Sequence, residues 1–273
     1  MSQGKLLSMS KFKLSHPLSW IFLSAVVLGG PLLQEARADL DWKAGFGGRT
    51  LPFGASANAE IGYGQLLWGE AGPGKYLYGY VKPALRYQGA GVANRGEIAL
   101  DVNPISFINL KGGMRSRYRF MGDFDTLDCE TSHCTGLLTS PFASASAILG
   151  YAGVFLGANF GWEKLTDADD SIRFAEEFSS LYGAPGGDTL TNIDLMAGFD
   201  ITDGWSAGGI WQRYAMQTLG TSNDFKGLFG RKKWEKWSGI AGVGRYESTT
   251  KSPAGPVVFI QMDYQGTPTL DLN

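Results

Sequence analysis

The densest run of chemically capable side chains lies between Lys82 and Arg119. Lys82 and Arg86 come first, Glu97 and Asp101 follow, then Lys111, Arg115, Arg117 and Arg119. Within each group the spacing is two or four residues. Side chains an even number apart share one face of a β-strand. Three such strands side by side would set cations against acids, and opposite charges on adjacent strands pair across the ladder. Such pairs would fill and stiffen a narrow interior. The excess of cations on the third group offers a second chemistry, a residual positive field that favours anions in a pore.

Other candidates are weaker. Acyl hydrolysis needs a serine activated by a histidine with an orienting partner. Beyond the N-terminal leader the chain has one histidine, His133, directly after Ser132. A sequence neighbour is poorly placed to hydrogen-bond a catalytic imidazole, and no G-x-S-x-G elbow is present. His133 therefore reads as a solvated loop residue, and no catalytic residue is assigned. Cys129 and Cys134, with four residues between them, sit in a polar stretch. In an oxidising compartment such a pair forms a local disulfide. With His133 they still fall short of the four ligands of a structural zinc site. Asp167, Asp169 and Asp170 offer oxygens to calcium, but they lack the Gly and Glu placement of an EF-hand loop and read as a solvated acidic loop. No metal or cofactor is expected. Arg231, Lys232, Lys233, Trp234 and Trp237 combine cations with indoles. At a membrane rim they would meet lipopolysaccharide phosphates and acyl chains, or act as an ordinary interface anchor.

The elements that position these residues follow from the rest of the chain. Lys5, Lys11 and Lys13 precede an apolar run from Leu18 to Leu33, which closes on Ala36-Arg37-Ala38. Basic leader, short apolar run and small-x-small site form a secretory signal. Residues 1–38 are assigned to it and 39–273 to a single β-domain. The run is too short for a spanning helix and is broken by Gly29, Gly30 and Pro31. The leader carries four of the 24 basic residues and one of the 26 acidic ones, so the remainder is more acidic than the whole chain's net −2. A nucleic-acid partner would require a basic stripe instead.

After Asp39 the dominant period is two. On 105–121 the apolar or small set Ile108, Leu110, Gly112, Met114, Tyr118 and Phe120 alternates with Asn109 and the four cations. Lys75–Gln88, Arg95–Asn103, Tyr151–Glu163 and Thr191–Ile201 alternate likewise. These runs exceed the ~5–6 residues of a sandwich strand and suit the ~9–11 of a tilted membrane strand. Trp42, Trp68, Tyr87, Tyr118, Trp162, Trp205 and Trp237 fall near segment ends, where an interfacial girdle lies.

The predicted strands are 40–48, 57–68, 75–88, 95–103, 105–121, 138–149, 151–164, 190–201, 205–217, 234–247 and 254–265, with a short closing strand at 267–273. Stretches 122–137, 165–189 and 218–233 read as long loops on the outer side, which places the acidic 165–189 segment and the basic 226–236 segment outside. Alternating Gly/aromatic strands, short turns on one side and long polar loops on the other resemble the bacterial outer-membrane β-barrel class. The resemblance is one of pattern over 39–273, without a family-specific motif. The Leu272-Asn273 ending departs from the terminal aromatic common in that class.

The expectation is therefore an all-β, transmembrane, antiparallel up-and-down barrel of about twelve strands, or ten, in the bacterial outer membrane. It would be a non-enzymatic narrow porin-like channel or structural surface protein. Its partners would be outer-membrane lipid, lipopolysaccharide and small ions or solutes. The alternatives are a lipid-modifying acyl hydrolase and a soluble periplasmic ligand-binding domain.

Overall fold

The computed structural model describes residues 38–71, 77–120, 127–250 and 254–266. The leader assigned to 1–38 and the closing strand at 267–273 lie outside them, except for Ala38, which opens the first strand. Twelve strands close into a barrel. They are β1 (Ala38–Thr50), β2 (Phe53–Gly69), β3 (Tyr78–Gly89), β4 (Ala93–Ile105), β5 (Ile108–Phe120), β6 (Thr135–Tyr151), β7 (Val154–Asp167), β10 (Gly187–Thr202), β11 (Trp205–Met216), β12 (Ser222–Trp234), β13 (Trp237–Ser248) and β14 (Gly255–Gln265). The short strands β8 (Phe174–Glu176) and β9 (Leu181–Gly183) pair only with each other. Every barrel strand is antiparallel to its chain neighbour, and β1 pairs with β14 from Lys43↔Gln265 to Arg49↔Phe259. Closure leaves no strand edge unpaired.

The antiparallel order gives the barrel two unlike ends. Two-residue turns at 106–107, 152–153, 203–204 and 235–236 join strands at one end, with the 70–77 connection. Connections 51–52, 90–92, 121–134, 168–186, 217–221 and 249–254 lie at the other. The first is called the turn end and the second the loop end. Gly153 (φ +80) and Gly204 (φ +73) supply the left-handed backbone that two of the tight turns need.

Three expectations are corrected. The 218–233 segment is strand β12 rather than a long loop, in full register with β11 and β13. The count of twelve is therefore reached without a strand at 267–273. The strand predicted to stop at Asn103 continues through Pro104 to Ile105, with an irregular register between Val102 and Ile105, a place where proline's missing N–H is tolerated. The basic segment at 226–236 is strand and tight turn at the turn end, opposite the disulfide loop, so the two do not share one rim.

Candidate functional site

Alternation sorts each strand into an outward and an inward set. On β4, Ala93, Glu97, Ala99, Asp101 and Asn103 are buried while Ile98 and Leu100 are exposed. On β5, Lys111, Arg115, Arg117 and Arg119 share the inward face, and Leu110, Met114, Tyr118 and Phe120 point out. Strand pairing then brings Lys82 opposite Asp101, Arg86 opposite Glu97, and Glu97 opposite Arg115.

The result is a ladder of ion pairs up one inner wall. Lys82 Nζ lies 3.0 Å from Asp41 Oδ2 and 2.8 Å from Glu60 Oε1. Arg86 reaches Glu60 (2.7 Å), Glu97 (2.8 Å) and Asp101. Arg115 bridges Glu97 (2.6 Å) and Glu163 (2.8 Å), and Arg117 joins Glu163 (2.5 Å) to Glu176 (3.3 Å). Arg119 meets Asp167 at 2.9 Å. Shared carboxylates and forked guanidiniums are what make buried charge tolerable, since each ion alone would lose several kcal/mol of hydration. The cation excess expected on 105–121 is thereby largely cancelled. Asp41, Glu60, Glu163, Asp167 and Glu176 come from strands and a loop that the three-strand reading did not bring together.

Lys111 is different. It faces the same lumen, yet among the described residues it makes no ion pair, and neither do Arg49 and Arg95. Arg95 and Lys111 line two cavities formed by the described residues. One, of about 380 Å³, lies among Ser56, Asn58, Arg86, Gln88 and Gln261. The other, of about 250 Å³, is bordered by Phe142, Phe178, Asn192 and Tyr214.

The second cavity has a roof. The 168–186 connection folds into the mouth instead of standing outside as an acidic surface loop. Phe174 and Leu181 of the β8–β9 hairpin are fully buried against Leu138, Leu165, Leu190 and Met216 of the barrel wall. The hairpin's other face packs Ala175 and Tyr182 on Leu127 and Cys134 of the 121–134 loop. At the hairpin tip, Arg49 donates to the Phe178 carbonyl at 3.3 Å, and the Arg95 guanidinium sits 4.6 Å over the Phe178 ring. Asn223 donates to the Ser179 carbonyl.

The disulfide loop clamps this plug. Cys129 and Cys134 are bonded, with their Cα atoms 5.5 Å apart. The His133 N–H donates to the Arg173 carbonyl (2.8 Å), and the Ala175 N–H donates to the His133 carbonyl (3.0 Å). His133 is not simply a solvated residue, because its Nδ1 is 3.0 Å from Asp167, the partner of Arg119. Asp167 is thus paired with a cation, while Asp169 is half-buried and held below its ordinary range by hydrogen bonds from Ser171. Among the described residues no cluster of His, Cys, Asp and Glu converges as a metal site would require.

Glu177 is the exception in the plug. Both its carboxylate oxygens are sealed from solvent without a hydrogen-bond partner. Burial, with the neighbouring Glu176 charge second, pushes it up from 4.5 to about 7, against the opposing pull of Arg117 and Arg119.

The outer wall is the reverse of the inner one. More than thirty large apolar side chains are exposed, among them Leu85, Ile98, Met114, Leu156, Leu228 and Val243. Each would gain ~1.5–3 kcal/mol on leaving water. Together they exceed the ~5–15 kcal/mol that holds a domain folded. Trp42, Trp205, Trp234 and Trp237 ring the turn end, where Tyr264 packs 5.2 Å from Trp42 and 4.9 Å from Trp237. Tyr87, Tyr118, Phe120 and Trp162 rim the loop end. Only a bilayer, with apolar tails between two interfaces, suits that distribution. This chain is an outer-membrane β-barrel.

No protein-family model matches the barrel's sequence, and no curated protein does. Among solved structures it is similar to an outer membrane channel from Pseudomonas putida F1, at 9% identity and TM-score 0.49, covering 83% of this chain and 96% of that one. The NanC porin gives 9% identity and TM-score 0.46 over 83% and 99%. The Vibrio cholerae outer-membrane protein OmpT gives 8% and 0.43 over 86% and 99%. The likeness is one of barrel architecture.

The residues expected at an outer lipid rim divide differently. Trp234 and Trp237 belong to the turn-end girdle. Lys232 points outward, with its ammonium 5.1 Å over the Trp205 ring and donating to the Asp203 carbonyl. Arg231 and Lys233 have the opposite parity, and Arg231 lies within the field of Asp200 and Asp263 on the inner wall. The plug was the part that sequence reasoning missed. Its one local signal was the unusually apolar composition of Phe174, Phe178, Leu181 and Tyr182 inside a loop otherwise rich in acids.

Proposed function

We propose that the barrel is a narrow, non-enzymatic channel that is closed at its loop end by the β8–β9 hairpin and admits small anionic solutes when the hairpin withdraws. One observation carries the reading. The hairpin tip occupies Arg49 and Arg95, and these cations, with Lys111 below them, are inward ones that make no ion pair among the described residues. An anion entering the mouth would compete with Phe178 for Arg49 and Arg95, then meet Lys111. Bound anions at those stations offset the cost of burying unpaired cations.

Short turns face the periplasm in barrels of this kind, so the loop end with its disulfide is read as external. The partners are then outer-membrane lipid and lipopolysaccharide around the aromatic rims, and solute inside. An acyl-hydrolase reading draws no support from the site. His133 gives Nδ1 to Asp167, and Ser132 donates to the Asp128 carbonyl instead of to an imidazole.

Planar-bilayer recording tests this. Deleting 174–183 should raise conductance severalfold, with an anion-favouring reversal potential that falls in Arg95→Gln and Lys111→Gln. An unchanged conductance in the deletion variant would sink the channel reading. An unchanged selectivity in both substitutions would sink the anion assignment. Arg115→Ala and Arg117→Ala, the natural choices from sequence, are poorer probes because both residues are committed to Glu163.

A further inference from the structure

The wall opposite the ion-pair ladder carries a group of aromatic rings among its polar residues. Phe155 of β7, Phe225 and Phe229 of β12 and Phe259 of β14 have inward parity. Each ring lies over a glycine. A methyl built on Gly244 would fall 2.6 Å from the Phe225 ring, and one on Gly242 would fall 2.5 Å from Phe259. Gly198 and Gly208 lie beneath Phe155 and Phe229 in the same way. Phe225 meets Phe259 edge-on at 5.6 Å, and Phe155 lies 6.3 Å from Phe229. Phe155, Phe229 and Phe259 fall in one register row that crosses the wall through Gly198, Gly208 and Gly242, with Phe225 four residues from Phe229 on β12, so the rings form a track across that wall. The cavity that Arg95 and Lys111 line reaches Gln261, two residues from Phe259 on the same inward face of β14.

A channel for hydrated ions gains nothing from such a track, because barrel interiors that conduct water are polar. Rings facing a lumen reward a solute that brings its own apolar surface. The facing wall supplies Arg95, which donates to Gln88, and Lys111, neither with an ion pair among the described residues, where both cavities meet. We infer that the lumen takes amphipathic organic anions, with a carboxylate or sulfonate head at Arg95 and Lys111 and an aromatic or short aliphatic body against Phe225, Phe229 and Phe259. This rests on the channel reading above and names its substrate class. The competing role for the rings is purely architectural, filling the gaps that glycines leave in a sheet.

The test uses the 174–183 deletion variant in planar bilayers with two sodium salts that share a head group, benzenesulfonate and 2-hydroxyethanesulfonate. Benzenesulfonate should bind in the lumen about fivefold more tightly, seen as concentration-dependent block of chloride current. The preference should shrink in Phe225→Ser and in Phe259→Ser, with heat-modifiable gel mobility reporting that each barrel is folded. Equal block by the two salts would overturn the inference, whether or not the serine variants fold. So would a preference that survives both substitutions in folded barrels. Either result leaves the channel reading standing. Absence of any chloride current would instead remove the channel reading and this inference with it.

Discussion

Replacing Glu177 with Gln should convert a pH-sensitive plug into a pH-insensitive one. The docked hairpin buries the Glu177 carboxyl beside Glu176 and raises it from 4.5 to about 7. A shift of that size corresponds to about 3 kcal/mol between the protonated and charged forms. Because the docked value is the higher one, the docked state holds the proton more tightly. Docking is strongest below about 4.5, weakens as pH rises from there to about 7, and has no more to lose above that. About 3 kcal/mol is roughly a hundredfold in the docking equilibrium. Two measurements read it. Single-channel open probability should rise between pH 5 and pH 8 in the native chain and stay low and flat in Glu177→Gln. Amide exchange across 174–183, corrected for intrinsic rates, should show protection falling over the same interval in the native chain only. Equal pH profiles for the two proteins would refute the reasoning. A native plug that tightens as pH rises would refute its sign.

Other consequences follow from the same contacts. Glu163→Ala should cost up to about 3 kcal/mol, because it leaves Arg115 with Glu97 alone and the fully buried Arg117 with only its longer pair to Glu176; a lowered heat-modifiability transition on gels is the readout. Reducing the Cys129–Cys134 bond should leave the barrel assembled and loosen the clamp on the hairpin by up to about 2 kcal/mol, the entropy of so short a loop, seen as more frequent opening. A membrane-impermeant thiol reagent on intact cells should label Thr131→Cys at the loop end and spare Lys236→Cys at the turn end. Labelling in the reverse order would invert the assigned orientation.

The barrel itself was legible because its governing signal is local. A period of two, sustained over ten or more residues and repeated between turns, leaves few stable arrangements, and the outward sets of β3, β4, β5, β7 and β10 emerged from parity alone. Strand β12 escaped the same logic because its chemistry is inverted. Asp224, Lys226 and Lys232 point outward near its two ends, while Phe225 and Phe229 point in. A rule that charge faces the lumen therefore read 218–233 as loop. The ladder was half visible. Lys82, Arg86, Glu97, Asp101 and Arg115 pair between adjacent strands, but Asp41 reaches Lys82 from β1, and Glu163 reaches Arg115 and Arg117 from β7, two strands from β5. Nothing in sequence spacing fixes which carboxylates a curved, closed wall brings to a given guanidinium. The plug depended on tertiary structure almost entirely. Phe174 and Leu181 are held by Leu138, Leu190 and Met216, residues of separate strands that share a mouth only once the sheet has closed. Local alternation determined that this chain becomes a barrel, since strand faces are set residue by residue. Closure decided what the barrel contains, because its contents are contacts between segments that are distant along the chain.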